Sequence, residues 1–163
     1  MKIKIFTTGG TIDKLYFDQL SEYQVGTPQI ETFLREANVT FEFVVRSLLQ
    51  KDSLELTDDD RELIRQAILQ DDARQIVVTH GTDTMIETAR RLRDVPEKTI
   101  VLTGAMKPAC FRSTDAVLNI GFAVAAVQLL PPGVYIAMNG RLFDPDHARK
   151  DRQRYCFDTI ADG

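Results

Sequence analysis

The sequence predicts a single three-layer α/β domain, doubly wound around a mostly parallel sheet, on three observations. Short apolar and β-branched runs recur without a polar face, as central strands covered on both sides require. Segments with helical periodicity and recognisable start signals separate those runs. The 163 residues suffice for one sizeable hydrophobic core and fall short of two ordinary domains, so residues 1–163 read as one unit.

Ile3 to Thr8 is the first strand and runs into Thr8-Gly9-Gly10-Thr11. Asp13 to Gly26 has no clear periodicity, and a long loop of that kind inside a compact domain is often a lid. Thr27 before Pro28 signals a helix start. Val39 to Leu49 is the second strand, and Thr57 ahead of Asp58, Asp59 and Asp60 caps the next helix. Gln75 to Thr79 is the third strand, after which Thr84 with Glu87 forms the pattern of a capping box. Thr99 to Thr103 is the fourth. Ser113 to Leu130 repeats Ala, Val and Leu densely enough for a mostly buried helix, stopped by Pro131 and Pro132, and Gly133 to Met138 is the fifth strand. Alternation of this kind implies crossover connections and a flavodoxin-like or Rossmann-like sheet, whose sites form at the strands' C-terminal ends.

The balance of 24 acidic against 20 basic side chains gives no electrostatic case for nucleic acid or an anionic membrane surface. The N-terminus lacks an apolar stretch of signal-peptide length and nothing later approaches a membrane span, so a cytoplasmic protein with a small-molecule partner is expected. Cys110 and Cys156 lack metal-ligand spacing, and the chain has only 2 histidines. We read both cysteines as reduced and structural, and expect neither metal nor organic cofactor.

Chemistry concentrates after the strands. Thr8-Gly9-Gly10-Thr11 follows the first and Thr79-His80-Gly81-Thr82-Asp83-Thr84 the third. Thr103-Gly104-Ala105-Met106-Lys107-Pro108 ends the fourth, and Asp144, Asp146 and Lys150 follow the fifth. Adjacent glycines let backbone approach a ligand and place the Thr11 hydroxyl on an exposed turn. A hydroxyl alone is a poor nucleophile and needs a base. A lysine relayed through a second threonine and steadied by a carboxylate can supply one, and Thr82, Asp83 and Lys150 are that set. Read singly, the same residues have plainer roles: glycine-threonine loops serve as turns and caps, Lys150 sits in a charged run like any solvated lysine, and His80 suits a hydrogen-bonded position beneath its loop.

Together, Thr8-Gly-Gly-Thr-Ile12 and Thr79-His-Gly-Thr-Asp-Thr-Met85 resemble the two signature motifs of the bacterial-type L-asparaginase and glutaminase family. The likeness extends to Tyr23-Gln-Val-Gly26, similar to the family's lid tyrosine segment, and to Asp52-Ser53, similar to its substrate-binding loop. Gly104-Ala-Met-Lys-Pro108 with Asp115 and Asn119 matches a turn and helix start, and Lys150 falls where the catalytic lysine would, beyond Asn139. The resemblance implies that Thr11 attacks a side-chain amide carbon and that Thr82, Lys150 and Asp83 handle the protons. It makes Tyr23 a helper at the nucleophile, and assigns Gly10, Asp52, Ser53, Gly81, Thr82 and Asp83 to substrate binding. Ser53 could instead cap a turn, and Tyr23 could pack its ring with its hydroxyl in water. Met85 and Met106 read as core.

Two departures stand out. The family's second, smaller domain, from which a neighbouring subunit supplies an acid to the substrate amine, is expected to be absent, leaving the catalytic domain alone. Asp13 follows the first motif where the family has a small residue, and a carboxylate there could repel an acidic product or serve another substrate. By resemblance the protein is a homo-oligomer, a dimer or tetramer. The rival readings are a non-catalytic module that binds an amino acid or small amide in the same pocket, and a flavodoxin-like phosphate binder using Thr8-Gly-x-Thr11.

Overall fold

The computed structural model describes residues 2–160. In chain order the elements are β1 (Lys2–Gly9), a small hairpin of β2 (Lys14–Phe17) and β3 (Glu22–Val25), α1 (Ile30–Glu36), β4 (Glu42–Lys51), α2 (Asp58–Gln70), β5 (Gln75–Thr79), α3 (Met85–Arg91), β6 (Thr99–Thr103), α4 (Ala116–Leu129), β7 (Gly133–Met138), β8 (Arg141–Phe143), β9 (Ala148–Asp151) and β10 (Cys156–Thr159).

The main sheet has the order β4-β1-β5-β6-β7-β8. Its first five strands are parallel, while β8 runs antiparallel to β7. Strand side chains alternate between two buried layers, as a period of two demands. Ile3, Ile5, Val77, Val101 and Ala137 pack under α1 and α4, whereas Phe6, Ile76, Val78, Ile100, Leu102 and Ile136 pack under α2 and α3. Helices on both faces explain why the central strands β5 and β6 carry no solvent-facing side, and each fully buried aliphatic or aromatic side chain contributes about 1.5–3 kcal/mol. The chain winds outward in both directions from β1 and β5, so the crevice between these two strands is the topological switch point where an α/β sheet binds ligands.

Several local expectations needed correction. β4 begins at Glu42 and continues through Lys51, later than the apolar run suggested. The stretch from Asp13 to Gly26 forms the β2–β3 hairpin, closed where Gly26 N donates to Asp13 O at 2.8 Å. The first helix starts at Ile30, not after Thr27-Pro28, and has no local side-chain cap. Asp13 serves instead: its Oδ1 accepts the Gln29 N–H at 2.9 Å, satisfying an orphan donor from a distance. Thr57 does form a capping box, with Asp60 as the reciprocal partner. Thr84 does not cap α3; its hydroxyl donates to Ser53 O at 2.8 Å. The fourth helix starts at Ala116, after Ser113 and the adjoining turn, and is buried on one side only, leaving Val117, Leu118 and Leu129 exposed. Met85 is fully buried and Met106 packs against the same layer. Cys110 and Cys156 are free thiols, and Cys110 is exposed rather than structural core.

Candidate active site

At the switch point the loops after β1 and β5 touch through glycines. Gly10 has φ 89°, a conformation that favours glycine, and a Cβ there would run into the backbone N and Cα of Gly81. A Cβ on Gly81 would in turn come within 2.6 Å of Ser53 Cβ. The Gly10 backbone therefore lies directly on the Gly81 backbone and Gly81 on the Ser53 side chain, with no room for a Cβ at either glycine. Gly10 N donates to Lys51 O at 2.9 Å, which fixes the first loop to the end of β4. Thr11 and Thr82 are the next residues along two loops already in contact. Thr11 opens a one-turn 3-10 helix, Thr11–Asp13, and is half-buried, while Thr82 is buried.

Lys150 arrives from β9. Its Nζ lies 2.8 Å from Thr82 Oγ1 and 2.8 Å from Asp83 Oδ1, and its side chain is 15% exposed against 28% for Asp83. Burial pushes the Asp83 carboxyl up, but Lys150 and Arg152 together outweigh it and hold the group below the usual carboxylate range. A lysine ammonium is donor-only, so its bond to Thr82 leaves the threonine's own hydroxyl hydrogen free to be given elsewhere. A hydroxyl held in this way can pass a proton along a relay.

Lys150 is placed by a hydrogen-bonded chain running in from β6. Asp115 accepts from Met106 N and Lys107 N, and Asn119 Nδ2 donates to Gly104 O and to Asp115. Asn139 N donates to Asn119 Oδ1 at 3.0 Å, and Asn139 Oδ1 accepts from Phe157 N at 2.8 Å. Phe157 pairs with Lys150 across the β9–β10 ladder. Asn139 and Gly140 both have positive φ, 54° and 71°, and the Met138–Arg141 pairing across them makes a two-residue hairpin turn.

His80 lies beneath the site and is fully buried. Its Nδ1 meets Gly81 O at 2.7 Å and its Nε2 meets Thr88 Oγ1 at 2.8 Å. A carbonyl only accepts, so the proton resides on Nδ1 and Thr88 donates to Nε2. Burial pushes the imidazole pKa down to about 4, against the opposing pull of the Gly81 carbonyl. It is a neutral strut for the loop, in keeping with the plainer sequence reading.

Other residues singled out in the sequence lie outside this constellation. Asp52 caps the 3-10 turn Ser53–Glu55 through Leu54 N, and its other oxygen pairs with Lys14 at 3.1 Å. Ser53 is buried against Gly81. Tyr23 is 46% exposed, and its ring packs against Tyr16 and Phe111 with both centroid distances at 5.3 Å. Asp13 is buried at the base of the hairpin and points to the start of α1, so it does not face a substrate as its sequence position suggested. No hydrogen bond joins Thr11 to the Lys150 group among the described residues. Sequence reasoning missed Arg152, whose NH2 lies 3.2 Å from Asp83 Oδ1; being two residues beyond Lys150, it was masked by the charged run. It also missed the Asn139-Gly140 turn, although Asn-Gly between apolar runs is a strong hairpin signal. A phosphate cradle would run directly into a helix, and here the Gly9-Gly10 loop leads to a 3-10 turn and a hairpin. No helix among the described residues is long and apolar enough to cross a membrane.

A family model described as asparaginase, N-terminal, matches residues 2–162. L-asparaginase 2 of Bacillus subtilis is 31% identical over 166 residues, covering 91% of this chain and 43% of its own length. The glutaminase-asparaginase of Pseudomonas aeruginosa is 33% identical over 172 residues, covering 91% of this chain and 45% of its own. Among solved structures, the thermostable L-asparaginase from Thermococcus kodakarensis superposes with a TM-score of 0.86 at 26% identity, over 100% of this chain and 52% of that one. The chain thus spans about half the length of the relatives it matches.

Proposed function

Because this chain belongs to the asparaginase family, through that family's N-terminal domain, we propose that it is an amidohydrolase releasing ammonia from a small, L-asparagine-like carboxamide. The observation that carries the reading is the position of Lys150 Nζ, 2.8 Å from both Thr82 Oγ1 and Asp83 Oδ1. A buried hydroxyl and a partly buried carboxylate held by one amine at a topological switch point are a proton-handling group at a ligand site.

Thr11 Oγ attacks the amide carbon as its proton passes to Thr82 Oγ1 of the Thr82–Lys150 pair, whose threonine hydrogen is free to move on because the lysine ammonium only donates. The C–N bond then breaks, and the nitrogen takes a proton from the same pair and leaves as ammonia. Water adds to the resulting acyl-threonine by the reverse relay, freeing the acid and restoring the Thr11 hydroxyl. Backbone amides around Thr82 serve the oxyanion, at roughly 3 kcal/mol per well-placed donor. Asp83 holds Lys150 in place, Gly10 and Gly81 let substrate and backbone approach closely, and Ser53 supports the pocket wall. Asp52 and Tyr23 act through the hairpin: Asp52 ties it to the pocket by way of Lys14, and Tyr23 sits on it ready to cover the nucleophile.

The test is ammonia release from asparagine, glutamine and simple amides by the wild-type protein and by Thr11→Ala. The reading requires turnover that Thr11→Ala abolishes while its far-UV circular dichroism is unchanged. Saturable ligand binding without turnover would instead favour a non-catalytic binding module, and threonine-independent hydrolysis would remove Thr11 from its role.

A further inference from the structure

Asp83 is shared. Its Oδ1 accepts both the Lys150 ammonium at 2.8 Å and the Arg152 guanidinium, with NH2 at 3.2 Å and Nε at 3.4 Å. Two cations on one carboxylate leave the cluster one positive charge in excess. The nearby Lys14–Asp52 pair is neutral by itself and does not offset it. Asp83 Oδ2 has no partner among the described residues, so a ligand ammonium could reach it, but would arrive as a third cation around a single anion. A ligand ammonium is repelled by that excess, whereas a ligand of the same shape without one feels only its attraction for carboxylate.

We infer that Arg152 is a specificity-determining residue which, by sharing Asp83 with Lys150, tunes the pocket for a small anionic carboxamide lacking a free ammonium, such as the half-amide of a dicarboxylic acid, over an amino-acid amide. The inference rests on the amide-hydrolase reading for the word carboxamide and on charge alone for the preference. Arg152 is the one member of the cluster free to vary without touching the proton relay: it stands in the turn beyond β9 with its side chain 69% exposed, and neither Thr82 nor Lys150 hydrogen-bonds to it. That exposure also limits its effect through solvent screening, to about three- to tenfold in relative affinity at low salt.

The experiment measures binding of succinate and of L-aspartate, the acid products without and with the ammonium, to the full chain by calorimetry at pH 7 and low salt. Wild type should bind succinate more tightly. Arg152→Gln should shift the succinate-to-aspartate affinity ratio toward aspartate by about three- to tenfold, Arg152→Lys should largely restore it, and the shift should shrink in high salt. Arg154→Gln is the control: it removes the same charge from a residue that pairs with Asp158 instead, and should leave the ratio where it was. An unchanged ratio in Arg152→Gln, an equal shift in Arg154→Gln, or failure to bind either ligand overturns the inference. Because binding is read directly, succinate binding without any amide turnover would sink the proposed function and leave this inference standing.

Discussion

Gly10 and Gly81 meet backbone to backbone, so that the first loop of the sheet uses the third strand's loop as its wall. The contact brings Thr11 and Thr82 to one site without either residue reaching for the other. It also gives two separate reasons for glycine at position 10, a φ of 89° and the absence of space for a Cβ. Gly10→Ala should therefore destabilise the chain by roughly 3 kcal/mol in denaturant unfolding, from left-handed strain plus backbone displacement, and lower ammonia release at least about a hundredfold. Gly140→Ala separates the two causes. It has φ 71° and open space around a Cβ, and should show only the strain, about 1–2 kcal/mol. Equal penalties at the two positions would show that the Gly10–Gly81 contact has no energetic weight.

Lys150→Met keeps the length of the side chain and removes its charge. Thr82 and Asp83 then lose the donor they share, and turnover should fall by about 10²- to 10⁴-fold, the usual range for a lost proton-transfer group. Because Asp83 is held below the ordinary carboxylate range, the acid limb of wild-type activity that reports it should lie below about pH 4, with no loss between 5 and 6. The stability from this pair is present above the unfolded pKa of 3.8 and disappears as pH falls through the lower folded value. An inflection near pH 6 that vanishes in Asp83→Asn would contradict this assignment.

Asn139 offers a test of positioning without touching the reacting groups. Asn139→Ala removes the acceptor for Phe157 N and places alanine at φ 54°. It should cost about 1–3 kcal/mol and lower kcat through the β9–β10 ladder, with KM little changed. Asn139→Gly relieves the strain and leaves Phe157 N unpaired, so it should recover stability while kcat stays low. Recovery of kcat in the glycine variant would assign Asn139 a purely structural role.

The elements buried on both faces were the legible ones. Ile3, Val77 and Val101 stand in strands with no polar side, and periodicity alone locates such strands. Thr82 and Asp83 were legible as candidates because they follow the β5 run directly, whereas Lys150, inside β9 and a charged run, became one through its family-like spacing beyond Asn139. What stayed hidden depended on distant partners. Asp13 caps α1 across 16 residues, and Thr84 gives its hydroxyl to Ser53 across 31, so neither local pattern could show where those side chains turn. The β2–β3 hairpin carries exposed residues on both faces, with Tyr16, Phe17, Glu22 and Tyr23 all open to solvent, which erases the alternation that marks a strand.

Asp13 and His80 make a final prediction about pH. Burial pushes the Asp13 carboxyl up to about 7, with the Gln29 N–H pulling the other way, and pushes the His80 imidazole down to about 4. Between its unfolded value of 3.8 and about 7, Asp13 binds its proton more tightly in the folded chain, so its contribution to stability is full in acid and is lost as pH rises. His80 behaves oppositely: below its unfolded value of 6.5 only the unfolded chain takes up the proton, and stability is lost as pH falls. Each slope approaches about 1.4 kcal/mol per pH unit, and over roughly pH 4 to 6.5 they cancel. The wild-type chain should accordingly show a nearly flat stability profile in that window. Asp13→Asn keeps a carbonyl oxygen for Gln29 N and removes one slope, so its stability should fall steeply from pH 6.5 toward 4. Above pH 7 it should exceed wild type by up to about 4 kcal/mol. Urea unfolding of both proteins from pH 4.5 to 8 decides the matter: parallel profiles would mean that Asp13 does not hold its proton in the folded chain.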